Sequence, residues 1–452
     1  MDHIEAPLNA PMAYQYKSGH RGSNGAINKI FDQDRPAHDW YRFVLSFPPH
    51  FVREHIERFA INRDHRVLDP FCGAGTTIVE CKKLGISSVG IEAHPFAHFV
   101  AQVKVDWSPD PENLIQHAEY IAEVARAQLE ADGIEDDPFF RSINDHDRTH
   151  NHLRTLSPDL MQLLLKNSIS PLPLHKVLVL LDTLKKHADK RFERHQRLAL
   201  AKALPSSIGN LHFGPEVGVG PAKHDAPVIA AWLDGIYTIA RDVRMLGDLN
   251  ATRAIVHHAD ARSMAATVEP SSIDAVITSP PYPNEKDYTR TTRLESVLLG
   301  FIQSKSDLRA LKQHLMRSNT RTVYTSDDDD RWVASHLRIQ RLADTIESRR
   351  IELGKTSGFE RLYARVTRLY FGGMARHFAD LRTVLRPGAH LAYVVGDQAS
   401  YFRVMIRTGE LLADIARSLG YEVVGIDLFR TRTATASKEQ LREEVLVLRW
   451  NG

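Results

Sequence analysis

The segment Val67-Leu68-Asp69-Pro70-Phe71-Cys72-Gly73-Ala74-Gly75-Thr76-Thr77 constrains the fold of this chain more than any other. A short apolar strand runs into a glycine turn and then a helix, expected from about Thr76 to Leu84 and closed by Gly85. The glycines let backbone approach a ligand closely. The amino end of such a helix favours a carboxylate or other anion. The next strand, Ser88-Val89-Gly90-Ile91, delivers Glu92 at its tip, close to the spacing at which an acidic residue grips ribose hydroxyls. A dinucleotide turn fits poorly, because Ile78 stands where its third glycine would be. No Gly-Lys-Ser/Thr follows, so a triphosphate loop fails as well.

A second feature lies at the end of the apolar run Ile273-Asp274-Ala275-Val276-Ile277-Thr278, which reads as a buried strand. Ser279-Pro280-Pro281-Tyr282 follows, and the two prolines stop the strand abruptly. The Ser279 hydroxyl and the Pro280 carbonyl can accept hydrogen bonds from an exocyclic amine, and the Tyr282 ring can stack on a planar base. Read alone, the string is equally an ordinary strand-ending turn.

Together the two motifs resemble the S-adenosylmethionine-dependent DNA amino-methyltransferases, the N4-cytosine and N6-adenine group. The resemblance covers about 65–105 and 254–300 strongly, and the amino end and about 359–450 more weakly. It implies a Rossmann-like class I methyltransferase fold, with a seven-stranded, mostly parallel sheet, an antiparallel last strand and helical insertions. It implies S-adenosyl-L-methionine as cofactor, held by Asp69, Phe71, Cys72, Gly73, Gly75, Thr76, Thr77, Glu92, Asp260 and Ala261, with the Pro48 segment beside its methionine end. It makes Ser279, Pro280, Pro281 and Tyr282 the catalytic turn and double-stranded DNA the partner, with companion restriction or defence components as the setting. Serine in the first position leans toward cytosine, since adenine enzymes more often carry Asp or Asn there. The same chemistry on adenine, on a base of structured RNA, and a non-catalytic recognition subunit stay open as alternatives. The cofactor loop precedes the catalytic turn here, whereas the branch with the most similar loop usually has the reverse order.

Composition narrows the setting. The formal net charge is only +2, so any nucleic-acid site must come from local clustering of the 58 Lys and Arg. No apolar run approaches roughly 18 residues, so no membrane span is expected. The amino end lacks a signal-peptide pattern, and a cytoplasmic location is the expectation. The two cysteines, Cys72 and Cys81, exclude a zinc ribbon and a disulfide framework. No cysteine lies near Ser279 to attack a cytosine ring, so direct transfer to the amine is the expected chemistry. No compact ligand pattern for a metal is seen.

Along the chain, 1–60 reads as a polar, glycine-rich arm followed by a lead-in helix started by Pro48-Pro49. The catalytic core is expected at 61–107, 251–301 and 357–452. The stretch 108–250 reads as a helical insertion, with helices such as Leu114 to Leu129 and Leu160 to Leu165 and a loop at 211–221. A basic helix at 185–197, with Lys185, Arg191 and Arg194, is either a solvated face or a phosphate contact. A second helical insertion spans 302–356, with an acidic run, Asp327 to Asp330, expected to be solvated. Arg290 and Arg293 share a helix face if that segment is helical, and either anchor the helix or hold DNA phosphates. A helix at 359–385, closed by Arg386-Pro387-Gly388, precedes strands at Leu391–Val395, Tyr421–Ile426 and Val445–Leu448.

Overall fold

A computed structural model describes residues 30–43, 46–136, 152–213, 216–284, 286–433 and 440–452. The glycines expected in the amino-terminal arm, Gly19, Gly22 and Gly25, lie outside them. The strands are β1 (Arg66–Asp69), β2 (Ser87–Glu92), β3 (Leu211–Phe213), β4 (Val217–Val219), β5 (Ala254–His258), β6 (Ile273–Thr278), β7 (Leu385–Gly396), β8 (Glu422–Thr433) and β9 (Gln440–Arg449). Seven of them form one sheet in the order β5-β2-β1-β6-β7-β9-β8. Pairs β5/β2, β2/β1, β1/β6 and β6/β7 are parallel, and β9 runs antiparallel to both its neighbours. This is the Rossmann-like methyltransferase sheet, with its one reversed strand inserted next to the edge.

Strand β6 is buried along nearly its whole length, as a strand covered by helices on both faces must be. Helix Thr76–Lys83 begins where Gly75 takes a left-handed φ of 82°, and Gly85, at φ 73°, ends it as expected. Pro49 is the first residue of helix Pro49–Arg58, where a missing N–H costs nothing. Helix Thr408–Ser418 is closed by Gly420 at φ 91°.

Helices Pro111–Ala131, Pro171–Lys186, Glu193–Ala203 and Val228–Leu246 have their own apolar centre, including Ile121, Leu180, Leu198 and Trp232. That centre is continuous with the core under helix Pro95–Lys104. Gly235 lets two of these helices cross closely, because a Cβ there would sit 3.0 Å from that of Ala199. Helix Leu337–Glu352 of the second insertion packs against helix Tyr363–Leu381. No helix among the described residues is long and apolar enough to cross a membrane.

Several sequence expectations are corrected. The expected arm ends earlier than residue 35: Asp34 is fully buried and bonded to Arg53, and Trp40 is buried too. The expected loop at 211–221 contains the hairpin β3/β4. Its Gly214 and Pro215 lie outside the described residues. Residues 160–165 are not a helix; only the single turn Pro158–Met161 forms, capped by Ser157. The basic stretch is two helix ends with a turn between them, not one helix. The helix at 363–381 stops before Arg386, and Pro387 and Gly388 lie inside β7. They are tolerated because the register with β6 jumps there, from Ile273↔Leu385 to Ala275↔His390, so the ladder does not need the missing N–H. Strands β8 and β9 extend well beyond the expected segments as a long hairpin.

Asp242 ties the amino-terminal segment to the first insertion. Its carboxylate is fully buried and accepts bonds from the Ala37 N–H at 3.1 Å and the Trp40 indole at 2.9 Å. Asp242→Ala leaves both donors buried without a partner, and should cost about 2–5 kcal/mol of stability. A denaturation midpoint equal to wild type would show that this joint bears no load.

Candidate active site

Asp69, at the carboxyl end of β1, is fully buried. Its Oδ1 accepts from the Thr278 hydroxyl at 2.6 Å and the Phe71 N–H at 3.2 Å. The Thr77 hydroxyl donates to the Ile277 carbonyl at 3.0 Å. The glycine turn and the Ser-Pro-Pro-Tyr turn are thereby fixed side by side at adjacent strand ends. Asp69 Oδ2 has no partner, and desolvation pushes this carboxyl up to about 6.

Both turns open into one cleft with a cavity volume of about 360 Å³. Phe71, Cys72, Gly73, Thr76, Glu92, Asp260 and Ala261 line one part of it, and Ser279, Pro280, Pro281 and Tyr282 another. Asp69, Gly75, Thr77 and Pro48 do not line it. Asp69 and Thr77 are spent on the joint beneath. Gly75 is needed for packing, because a Cβ there would sit 3.2 Å from the Ala101 Cβ at a left-handed φ. Pro48 starts its helix, and the neighbouring Ser46 and Phe47 face the cleft instead.

The first part of the cleft suits a nucleoside-bearing cofactor. Gly73, at φ 52°, would carry a Cβ with nothing within 4 Å, so the space over it is open to a ligand. Glu92 Oε2 accepts the Gly73 N–H and Oε1 the His94 N–H, each at 2.7 Å. Each oxygen keeps a lone pair for one hydroxyl of a vicinal pair. Burial is the main reason this carboxyl is raised to about 7. Asp260 is held by the guanidinium of Arg262, whose Nε lies 3.0 Å from Oδ1. Although burial opposes it, the hydrogen bonds and charge of Arg262 hold Asp260 below its usual value, ready to accept from an amine. Arg262 also reaches Asp329 of the second insertion, so that part of the acidic run is buried and not solvated. Asp327 is likewise taken, by Arg317 at 2.8 Å.

On the other side, the Ser279 hydroxyl donates to the Val394 carbonyl at 3.1 Å. Its proton is committed there, and the Tyr282 side chain interacts with the same hydroxyl. The Tyr282 ring lies against β7 where Gly396 leaves room, since a Cβ there would meet Tyr282 Cε2 at 2.7 Å. Phe43 and Tyr288 also line the cleft, stacked with centroids 6.2 Å apart and planes at 27°. Tyr288 follows the catalytic turn closely in sequence, and its segment is expected to border the base. Sequence reasoning passed over Phe43, Arg430, Arg432 and Glu443, because they lie far from either motif and only the fold brings them in.

The expected DNA contacts fare differently. Arg293 is buried, and donates to the Thr289 carbonyl at 3.1 Å and the Leu163 carbonyl at 3.3 Å. The helical turn Tyr288–Thr291 breaks at Thr292 before helix Arg293–Leu298, so Arg290 and Arg293 do not share one helix face. Arg290 is half-buried. Lys185, Arg191 and Arg194 are away from the cleft. Lys185 is exposed, Arg191 pairs with Asp189 at 2.7 Å, and Arg194 donates to Gln102 at 3.0 Å. Among the described residues no group of three or more His, Cys, Asp and Glu is placed to hold a metal ion.

The strand order, with one reversed strand next to the edge, is that of the Rossmann-like methyltransferase fold. A DNA methylase family model matches residues 3–102. Along most of its length the chain is similar to two Type II methyltransferases. It is 24% identical to M.BsoBI of Geobacillus stearothermophilus, over 90% of this chain and 83% of that one. It is 23% identical to M.AvaI of a Nostoc strain, over 90% of this chain and 84% of that one. These likenesses support an amino-methyltransferase of the N4-cytosine/N6-adenine group with S-adenosylmethionine as methyl donor. A solved rRNA methyltransferase, aviRa of Streptomyces viridochromogenes, aligns over 96% of each chain at 9% identity with a TM-score of 0.32.

The two glycines should separate in experiment. Gly73→Ala should lower S-adenosylmethionine affinity by tenfold or more in calorimetry, with a stability loss limited to the strain of a left-handed φ, about 1–2 kcal/mol. Gly75→Val should lower the melting temperature through Ala101. Equal cofactor affinity in folded Gly73→Ala would remove that turn from the site. Glu92 gives a pH test. Its acceptor form is the carboxylate, and below about 7 the raised carboxyl holds its proton. Cofactor affinity should therefore climb as pH rises through about 7 and level off above it. Glu92→Gln should bind weakly and without that climb.

Proposed function

We propose that the chain is a site-specific DNA methyltransferase that moves a methyl group from S-adenosylmethionine to the N4 amine of a cytosine flipped out of the duplex. One observation carries this reading. The Ser279 hydroxyl donates a hydrogen bond to the Val394 carbonyl in the same cleft as Glu92 and Asp260, so toward an incoming amine its oxygen is a neutral acceptor. Serine, and not Asp or Asn, in this position favours cytosine over adenine. Both similar enzymes named above are Type II methyltransferases, which supports DNA as substrate and a restriction enzyme as companion.

S-adenosylmethionine supplies an activated methyl group. The chain's own residues do the rest. Gly73 and Glu92 seat the nucleoside part, with Asp260 on its amine. A stacked base cannot reach the cleft, so the target nucleotide leaves the helix. Tyr282 stacks on it, and Ser279 with the Pro280 carbonyl accepts from the amine, turning its lone pair toward the methyl donor. Alignment of this kind supplies much of the rate. Neither cysteine takes part: burial pushes both thiols up, and Cys81 lies in the core between helices and sheet. The roles of Ser279, Pro280, Pro281 and Tyr282 are part of this proposal.

Transfer of label from S-adenosylmethionine to DNA, followed by digestion to nucleosides, should yield N4-methylcytosine. N6-methyladenine as the only product would overturn the choice of base, and label in RNA alone would overturn the choice of polymer. Tyr282→Ala should lose stacking worth about 1–3 kcal/mol, roughly five- to 150-fold in rate, while cofactor affinity stays the same. Transfer at the wild-type rate would take Tyr282 out of the site.

A further inference from the structure

The hairpin β8/β9 places a cluster of cations at the cleft that no motif announces. Arg430 on β8 stands opposite Glu443 on β9, and Arg432 lies two pairs further along, on the same face. The Glu443 carboxylate is buried: Arg430 Nε donates to one oxygen, and Arg432 forms an ion pair with the other, its Nε 3.2 Å away but not hydrogen-bonded. The guanidinium ends are left over. Among the described residues the Arg430 Nη groups have no hydrogen-bond partner, and Arg432 Nη2 has only the Asp397 carbonyl at 3.4 Å. Both side chains are partly exposed, at 23% and 34%. Arg432 Nη2 and the Tyr282 ring both flank the space over Gly396, so the cation sits beside the stacking ring. Lys286 lines the same cleft, and burial together with the charge of Arg432 holds its amine below the usual value. Arg430, Arg432 and Lys286 face the carboxylates of Glu443 and Glu216, an excess of positive charge that calls for an anion.

We infer that Arg430, Arg432 and Lys286 form the clamp for the phosphodiester next to the extruded nucleotide, with Glu443 fixing Arg430 by Nε and pairing with Arg432, so that Nη groups are left for the backbone. This rests on the DNA reading above. A guanidinium held in this way offers two parallel N–H groups to phosphate oxygens, which a lysine cannot copy. The clamp takes the place of Arg293, whose guanidinium is used up inside the fold.

The test uses a duplex containing a site that the wild-type chain methylates. If the wild-type chain methylates no DNA, the reading beneath the clamp falls and the clamp with it. Arg430→Gln/Arg432→Gln should weaken binding to that duplex and flatten the slope of log affinity against log salt by roughly 0.9 for each phosphate lost. S-adenosylmethionine affinity should not change. Arg430→Lys/Arg432→Lys should keep most of the slope but bind more weakly than wild type. A neutral methylphosphonate at a phosphate flanking the target base should weaken wild-type binding and add nothing to the Gln variant. Additive losses, or an unchanged slope in a variant with normal cofactor affinity, would place the arginines elsewhere. If the Gln variant does not fold, the methylphosphonate duplex with the wild-type chain decides alone: equal binding to the neutral and charged duplexes rules the clamp out.

Discussion

The active cleft depends on a buried contact between residues 209 positions apart, the hydrogen bond from the Thr278 hydroxyl to Asp69. It joins the last residue of β1 to the last residue of β6, and Thr77 repeats the join one layer away through the Ile277 carbonyl. Parallel pairing of Val67 with Ala275 and Leu68 with Val276 sets the register, and the side chains lock the ends. The arrangement is costly. Asp69 keeps an unpartnered oxygen in a dry place, and its carboxyl is raised to about 6 as a result. Such a cost is understandable where two loops must meet to within a fraction of an ångström, since small misplacements of reacting groups are expensive in rate.

A second constraint fixes the floor of the cleft from outside the sheet. Arg262 grips Asp260 and Asp329 together, and Arg376 adds a bond to Asp329 at 3.3 Å. The segment carrying Asp329 can come this close only because Gly372 has no side chain. A Cβ there would lie 1.9 Å from the Asp329 carbonyl oxygen. The second insertion thus helps to hold an acid that lines the cleft. Charges in this buried group are paired and hydrogen-bonded, the condition under which buried charge is tolerated.

Much of this was legible in the residues, and the rest was hidden for identifiable reasons. Local patterns gave β1, β2, β5 and β6 nearly to the residue, because each is a short apolar run ended by Gly, Pro or an acid. The two turns were readable because their backbone demands are extreme: a left-handed glycine and a pair of prolines. Which glycine faces ligand was not readable, because Gly73 and Gly75 differ only in what lies over them, and Ala101 is 26 positions further on. The acidic run looked solvated because its partners, Arg262 and Arg317, are distant or on another element. Arg293 looked like a surface cation because burial is invisible in a charge count. The long hairpin β8/β9 was underestimated because Arg430, Thr431 and Arg432 interrupt the apolar pattern that marks a strand.

The unusual order of the motifs has a structural explanation in the same sheet. What the chemistry needs is β6 beside β1, and the strand order provides that whichever motif comes first in the chain. The crossover from β2 to β5 carries the first insertion, and β5 is the edge strand next to β2. A crossover at the edge can lengthen without threading past another strand. Extra length in a connection costs little closure entropy, and here most of that length is recovered as a packed helical core continuous with helix Pro95–Lys104. The insertion therefore grows away from the cleft, consistent with the distance of Lys185, Arg191 and Arg194 from it. On the proposed reading, contact with the base and its immediate backbone falls to the strand ends at the centre and to the β8/β9 hairpin, which reaches the cleft from the opposite edge of the sheet.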